Sequence, residues 1–413
     1  MVLRDMSRRA VLAAGCLFGI VGVAGCNAVG ADGGSKAGLF DLFDRPGEGE
    51  ALPGDTSPRS RVERIIASMT LEEKVAQLFI VTPEQLTGVS QATIAGRVTQ
   101  DALMRYPVGG LCYFGRNIVG EWQLKDMLSG TSAYCASAGA GIRPFLAVDE
   151  EGGPLVARIA NSSAFDVERF PSMAEVGASG DAATAARVGS SIGSYLREIG
   201  FNVDFAPVAD VLTNSANAVI APRSFGSDPT LVASMVAAEV KAMLETGTLA
   251  CVKHFPGHGD TAGDPHTGAV SSSRSKSEIE SCEFLPFKAA IDAGCPMIMV
   301  GHIETPNYAA DGLPASMSRV MVTDVLRGQL GFEGVIVSDS LSMGAIVSRF
   351  SPADAAVRFF QAGGDCLLIP QSFPDAYDGV LAAVESGSLG EDRIDESVAR
   401  VLRAKQRAGM LDG

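Results

Sequence analysis

The chain has 413 residues, 46% of them hydrophobic and 20% charged, with a formal net charge of −15. That length and apolar content supply a large core, in one domain or two, and exclude a disordered chain. The acidic balance, with no basic stripe or Lys/Arg run in the main body, excludes an electrostatic nucleic-acid binder.

Residues 1–25 read as an export signal. Arg8 and Arg9 precede an apolar run of signal length, too short for a comfortable membrane span. The Ser-Arg-Arg start resembles a twin-arginine signal, and Val23-Ala24-Gly25-Cys26 resembles a bacterial lipobox. The expectation is cleavage before Cys26, lipidation of its thiol, and an extracytoplasmic protein lipid-anchored to the bacterial cell membrane. Residues 26–57, rich in Gly, Pro and Asp, read as a flexible tether. A folded domain is expected over 58–413. Its first helix would take Ser57 as N-cap and Pro58 as first helical residue. Thr70 and Glu73 then have capping-box spacing.

From there short apolar runs alternate with longer amphipathic ones. The strand candidates are 77–81, 108–114, 144–149, 201–207, 249–255, 296–302, 334–339 and 365–370. They are nearly continuous in apolar residues rather than alternating, as parallel strands buried on both faces are. Helix-like stretches lie between them, several ending in Gly. This α/β alternation predicts a (β/α)8 TIM-type barrel in a single catalytic domain. An open doubly wound sheet is the alternative, but no Gly-rich dinucleotide fingerprint follows the first strand. Asp149, Asp204, Lys253–His254, His302 and Asp339 fall at or near the ends of predicted strands, where a barrel's mouth is built. Of the eight cysteines, Cys16 and Cys26 belong to the signal. Cys112, Cys251 and Cys366 lie in strand-like runs and read as small buried hydrophobes, with Cys135 in a helix-like stretch. Cys282 and Cys295 are the one pairing left open.

Asp339 ends an apolar strand, which suits a nucleophile or a transition-state anion, against the plainer reading of a loop cap. In Asp149-Glu150-Glu151-Gly152-Gly153 the glycines permit close approach of backbone to a ligand. Glu150 and Glu151 are either solvated or paired with Arg158. Arg223 lies in a loop expected above the fourth strand and suits a ligand contact. Three of the four histidines, His254, His258 and His266, share one Gly-rich loop with Lys253, Asp260 and Asp264. A metal site is disfavoured, because the spacing matches no compact zinc pattern and Lys253 repels a cation. His258, between two glycines, reads as a loop-holding residue. Asp264-Pro265-His266 reads as a carboxylate–imidazole dyad for acid–base work.

These motifs, in this order, resemble the β-N-acetylglucosaminidase branch of glycoside hydrolase family 3, from about residue 60 to the end. The strongest matches are LAVDEEGG, FNVDFAPVADV, PRSFGSDP, VKHFPGHGDTAGDPH and GVIVSDSLSMGAI. The resemblance implies a retaining exo-β-N-acetylglucosaminidase acting on terminal N-acetylglucosamine, and with the expected location it suggests peptidoglycan fragments as the substrate. It implies Asp339 as nucleophile and His266 as acid/base assisted by Asp264. Asp149, Arg158, Arg223, Lys253 and His254 would hold the sugar. Pro265 departs from the family's Asp-Ser-His loop; proline removes an amide donor and biases Asp264 toward extended geometry. Because the chain ends at Gly413, the barrel's own loops are expected to supply the acid. The expected partners are an N-acetylglucosamine-containing glycan and, through the anchor, the membrane. A monomer is expected, with no cofactor and no metal. The alternatives are a β-N-acetylglucosaminide phosphorylase or β-glucosidase of the same family, a sugar-binding lipoprotein without catalysis, and a metal-dependent hydrolase.

Overall fold

The computed structural model describes residues 60–263, 268 and 270–411. The signal, Cys26, the tether, Ser57–Pro58, Asp264 and His266 lie outside those residues. The first described helix is Arg61–Ser68, and Ser60 caps it rather than Ser57. Ser60 Oγ accepts from the Glu63 amide, and the Glu63 carboxylate accepts from the Ser60 amide at 2.8 Å. The reason lies in the spacing. Ser60 has an acidic residue three positions on and can satisfy two orphan amides at once, whereas Ser57 has only Ser60 there. The Thr70–Glu73 box opens the helix Leu71–Gln77, as its spacing predicts.

The barrel strands are β1 (Phe79–Val81), β2 (Gly110–Cys112), β3 (Phe145–Val148), β4 (Val203–Asp204), β5 (Leu249–Phe255), β6 (Met297–Val300), β7 (Val335–Ser338) and β8 (Leu367–Leu368). Each falls inside one of the predicted runs. Each pairs in parallel with the next from β1 to β7, and β8 pairs in parallel with β1. A parallel bridge from Val337 to Cys366 closes the ring. All eight strands are buried along their length, which explains their continuous apolar character. The helices pack outside, so side chains just beyond the strand ends share one mouth. The six described cysteines are buried and free; the Cys295 thiol donates instead to Met297 O at 2.9 Å. The Cys282–Cys295 pairing left open by the sequence is therefore not made.

Asp365, fully buried, fastens the closing strand. Its carboxylate takes Arg327, Arg393 and Arg400, the last two at 3.1 Å, together with Ser397 Oγ and the Ile336 amide at 2.9 Å. It thereby ties β7 and the helix Glu391–Arg407 to the start of β8. Removing it leaves three poorly solvated guanidinium groups without their shared anion. Asp365→Ala is expected to cost about 3–5 kcal/mol, read as a lower urea midpoint.

Candidate active site

The ends of β3 and β5 bring the first group together. Asp149 directly follows β3, and Lys253 lies within β5. Lys253 Nζ donates to Asp149 Oδ1 at 2.7 Å and approaches Glu151 Oε1 at 2.7 Å. Glu151 in turn accepts both Nε and Nη2 of Arg223, each at 2.7 Å. The result is a ladder of alternating charge, Asp149–Lys253–Glu151–Arg223. Burial alone would lower the Lys253 pKa, but Asp149 and Glu151 outweigh it and raise it, so the ammonium stays charged. Burial pushes the Glu151 carboxyl up, yet Lys253 and Arg223 hold it well below the usual carboxylate range. Behind it, Glu239 has neither oxygen partnered; burial, then the Glu151 charge, pushes it up to about 8. It is therefore neutral while Glu151 is ionised.

Glu150 faces the other way. It accepts the amides of Ile159 and Ala160 and the Tyr195 hydroxyl, at 2.7, 2.9 and 2.7 Å. Neither glutamate is solvated, and neither pairs with Arg158 through a side-chain hydrogen bond. The glycines after them also serve the fold. Gly152 and Gly153 have φ of +80° and +71°, the left-handed region that favours glycine. They form the turn between the short antiparallel strands Glu150–Gly152 and Val156–Ala157. A Cβ on either would crowd Met173 or Ser172. The close approach expected for a ligand is thus made by protein.

The second group centres on Asp210, which is fully buried. Its Oδ2 takes His254 Nδ1 at 2.8 Å; its Oδ1 takes the amides of His254 and His258 at 3.2 and 2.7 Å. Burial raises its pKa, and the His254 ring more than reverses this, so Asp210 is an anion. A carboxylate only accepts, so the hydrogen of neutral His254 is fixed on Nδ1 and its lone pair on Nε2. His258 Nδ1 meets Thr261 Oγ1 at 2.6 Å, in keeping with a loop-holding role. Gly259 lies so close to Val211 O that a Cβ would collide with it. This contact explains the second glycine of the Gly-His-Gly motif.

Asp339 follows β7, its amide donating to Val300 O at 2.9 Å and its Oδ1 accepting the Ser340 amide at 2.7 Å. Burial pushes its carboxyl up, but His254 and His302 outweigh burial and hold it below the ordinary value. His302 Nε2 stands 3.0 Å from Ser340 O, and its Nδ1 2.8 Å from Ser316 Oγ. Asp204 ends β4 but points into structure, accepting the Glu150 amide at 2.9 Å; burial pushes its carboxyl well up. Arg158 stands apart from the ladder. Only its backbone amide bonds Asp149, and its guanidinium lies 5.8 Å from the Phe114 ring centroid. It lines a cavity of about 270 Å³ with Ile118, Leu155 and Asn161. Among the described residues no group of three or more His, Cys, Asp or Glu side chains is placed to hold a metal ion.

Of the site residues expected from sequence, the structure brings together Asp149, Arg223, Lys253, His254 and Asp339. Glu151 was read as solvated or paired with Arg158, and Asp210 was not singled out; both lie inside the quoted motifs, but the residues they hold are distant in sequence.

A closed parallel barrel with such groups at its strand ends has the anatomy of a barrel enzyme. Residues 70–404 match the family described as Glycosyl hydrolase family 3 N terminal domain. This chain belongs to that family. It is 34% identical over 331 residues to Beta-hexosaminidase A of Pseudoalteromonas piscicida, covering 74% of this chain but 54% of that protein. The chain thus spans about half the length of that relative. It is 31% identical over 358 residues to Beta-hexosaminidase LpqI of Mycobacterium tuberculosis, covering 84% and 86%. A glycoside hydrolase family 3 beta-N-acetylglucosaminidase from Paenibacillus sp. str. FPU-7 matches in structure with a TM-score of 0.78 at 35% identity, over 84% of this chain and 64% of that one.

The ladder makes a prediction of its own. Glu151→Gln removes the anion shared by Lys253 and Arg223 and is expected to cost about 3–5 kcal/mol at pH 7, measured by urea unfolding. The folded-state pKa of Glu151 is depressed. Its contribution is therefore complete above the unfolded value of about 4.3 and is lost as pH falls below it. The gap between the two proteins should narrow over that acid range.

Proposed function

We propose that this chain is a retaining exo-β-N-acetylglucosaminidase that removes terminal β-linked N-acetylglucosamine. The observation that carries the reading is Asp339, a strand-end carboxylate held ionised by His254 and His302. Family membership and the names of the relatives support it. Asp339 attacks the anomeric carbon while His266, oriented by Asp264, gives a proton to the departing oxygen. His266 then takes a proton from water, which attacks the glycosyl–Asp339 ester and releases the sugar with its configuration retained.

The ladder suits sugar binding because its members are not exhausted by one another. Lys253 carries a third hydrogen beyond those directed at Asp149 and Glu151, and Arg223 keeps N–H donors beyond the pair given to Glu151. Asp149 keeps Oδ2 as an acceptor. With His254 Nε2 and Arg158, these groups hold the hydroxyls of the terminal ring. The substrate is a fragment of peptidoglycan, met outside the cytoplasmic membrane by a protein anchored through lipid on Cys26. Among the described residues no helix is long and apolar enough to cross a membrane.

Asp339→Ala is expected to abolish hydrolysis of aryl β-N-acetylglucosaminides while circular dichroism stays unchanged. Activity near wild type would remove Asp339 as nucleophile. His266→Ala should slow poor leaving groups by about 10²–10⁴-fold and good ones far less, with azide restoring turnover where ester hydrolysis limits. Equal slowing of all leaving groups would make His266 a binding residue. Product formation independent of phosphate separates hydrolysis from phosphorolysis.

A further inference from the structure

Every large apolar side chain that stands exposed among the described residues lies between Val89 and Leu155. The most exposed are Trp122 at 81%, Ile94 at 71% and Val119 at 66%, followed by Val98, Met104 and Leu155. Ile94, Val119, Trp122 and Leu155 lie on segments that follow β1, β2 and β3, on the rim of the mouth. Side-chain bonds join these segments. Gln123 Nε2 donates to Thr93 O at 2.6 Å, Asn117 Nδ2 to Ala92 O at 2.8 Å and Gln91 Nε2 to Arg116 O at 2.7 Å. Leu155 and Ile118 line the same cavity. Ile94, Val119, Trp122 and Leu155 therefore stand on adjoining segments, and exposed apolar residues gathered in this way mark an interaction surface.

Charge and composition select its occupant. Residues 89–126 carry four basic and three acidic side chains, in a chain whose net charge is −15. This sector is slightly basic where the chain as a whole is strongly acidic, so it meets an anionic surface with less repulsion than the average of the chain. Its most exposed large apolar residue is the chain's one tryptophan, whose amphipathic indole favours the boundary between water and lipid. Residues 26–59, fully extended, reach up to ~110 Å, ample for the rim to meet a bilayer that holds Cys26.

We propose that this rim docks on an anionic phospholipid surface, with Ile94, Val119 and Trp122 entering the interface beside the barrel mouth. The proposal rests on the lipid-anchor reading only for its membrane context. Docking there sets the mouth at the bilayer and orients it, whereas a tether alone leaves orientation open.

The single tryptophan makes the test direct, because protein emission reports Trp122 alone. Full-length Cys26→Ser protein, which lacks the thiol for lipidation, is titrated with phosphatidylglycerol vesicles and with phosphatidylcholine vesicles. The expected result is a blue shift with the anionic vesicles, and quenching of Trp122 by lipids brominated on their acyl chains. Ile94→Ser with Val119→Ser keeps the probe and should need about tenfold more lipid for the same shift, with turnover of a soluble aryl glycoside unchanged. Emission of the Cys26→Ser protein that does not move, while lipidated wild-type protein sediments with the same vesicles, overturns the docking face and leaves the anchor reading standing. A blue shift that grows with protein concentration in the absence of lipid assigns the patch to a protein partner and also overturns it. A Cys26 protein recovered from cells without lipid, whose Trp122 nevertheless shifts on vesicles, supports docking and removes only the anchor.

Discussion

The mouth of this barrel is organised around one buried ammonium group. Lys253 is almost wholly removed from water, and an unpaired charge there would cost several kcal/mol or lose its proton. Asp149 and Glu151 prevent both outcomes. Their positions are then no longer free. Asp149 must follow β3 directly, and Glu151 must lie on the same side of the next short strand. Glu151, buried with a charge of its own, requires Arg223 as well, and this draws in the loop after β4. One buried cation thus fixes the geometry of three loops, and it does so with partners whose spare hydrogen-bonding capacity remains for a ligand.

The same segment extends the order toward Asp339. His254 follows Lys253 in β5, and its ring is held by Asp210 from the loop after β4. A ring so oriented lies close enough to Asp339 to be the largest favourable influence on that carboxylate, with His302 next. Anion, imidazole and anion therefore alternate here as carboxylate and cation alternate in the ladder. Asp149, Lys253, Glu151, Arg223 and Asp210 each have an oppositely charged or hydrogen-bonding protein partner, which is what a water-poor site needs to keep its groups ionised.

The strands and their polar ends were legible in the sequence because burial on both faces leaves a simple mark, an apolar run stopped by a charge. The strand lengths were not. The run 201–207 keeps a regular ladder only over Val203–Asp204; beyond it Asn202, Phe205, Ala206 and Pro207 join the neighbouring strands through single backbone hydrogen bonds. The roles of Glu150 and Glu151 were also hidden. Adjacent residues in a strand face opposite ways, so one glutamate meets amides and the other meets cations. Which is which depends on the irregular register against Val156–Ala157, and the Arg223 partner lies 72 positions away. Asp210 was hidden for a related reason: its partners are amides and a ring brought to it by β5. The helix start failed more locally, because a serine before proline outranked a serine with glutamate three residues on.

A second buried lysine shows what the mouth would be without its anions. Lys405 is fully buried, as Lys253 nearly is, but among the described residues its Nζ meets only Gln77 Oε1 at 2.8 Å and the face of Phe145, 4.9 Å from the ring centroid. Burial pushes its ammonium down to about 7. Phe145 opens β3 and Asp149 follows its end, so one strand of four residues runs between the two lysines. At the entry end the lysine is left to give up its charge and packs as an amphipathic filler. At the exit end two carboxylates keep it charged. The same side chain, with similar burial, is treated oppositely at the two ends of one strand. Packing alone has no use for a buried ammonium kept charged by two buried anions, and an apolar side chain of similar volume would fill the space at lower cost. The retained charge at the exit end is what the sugar-binding role proposed for Lys253 requires.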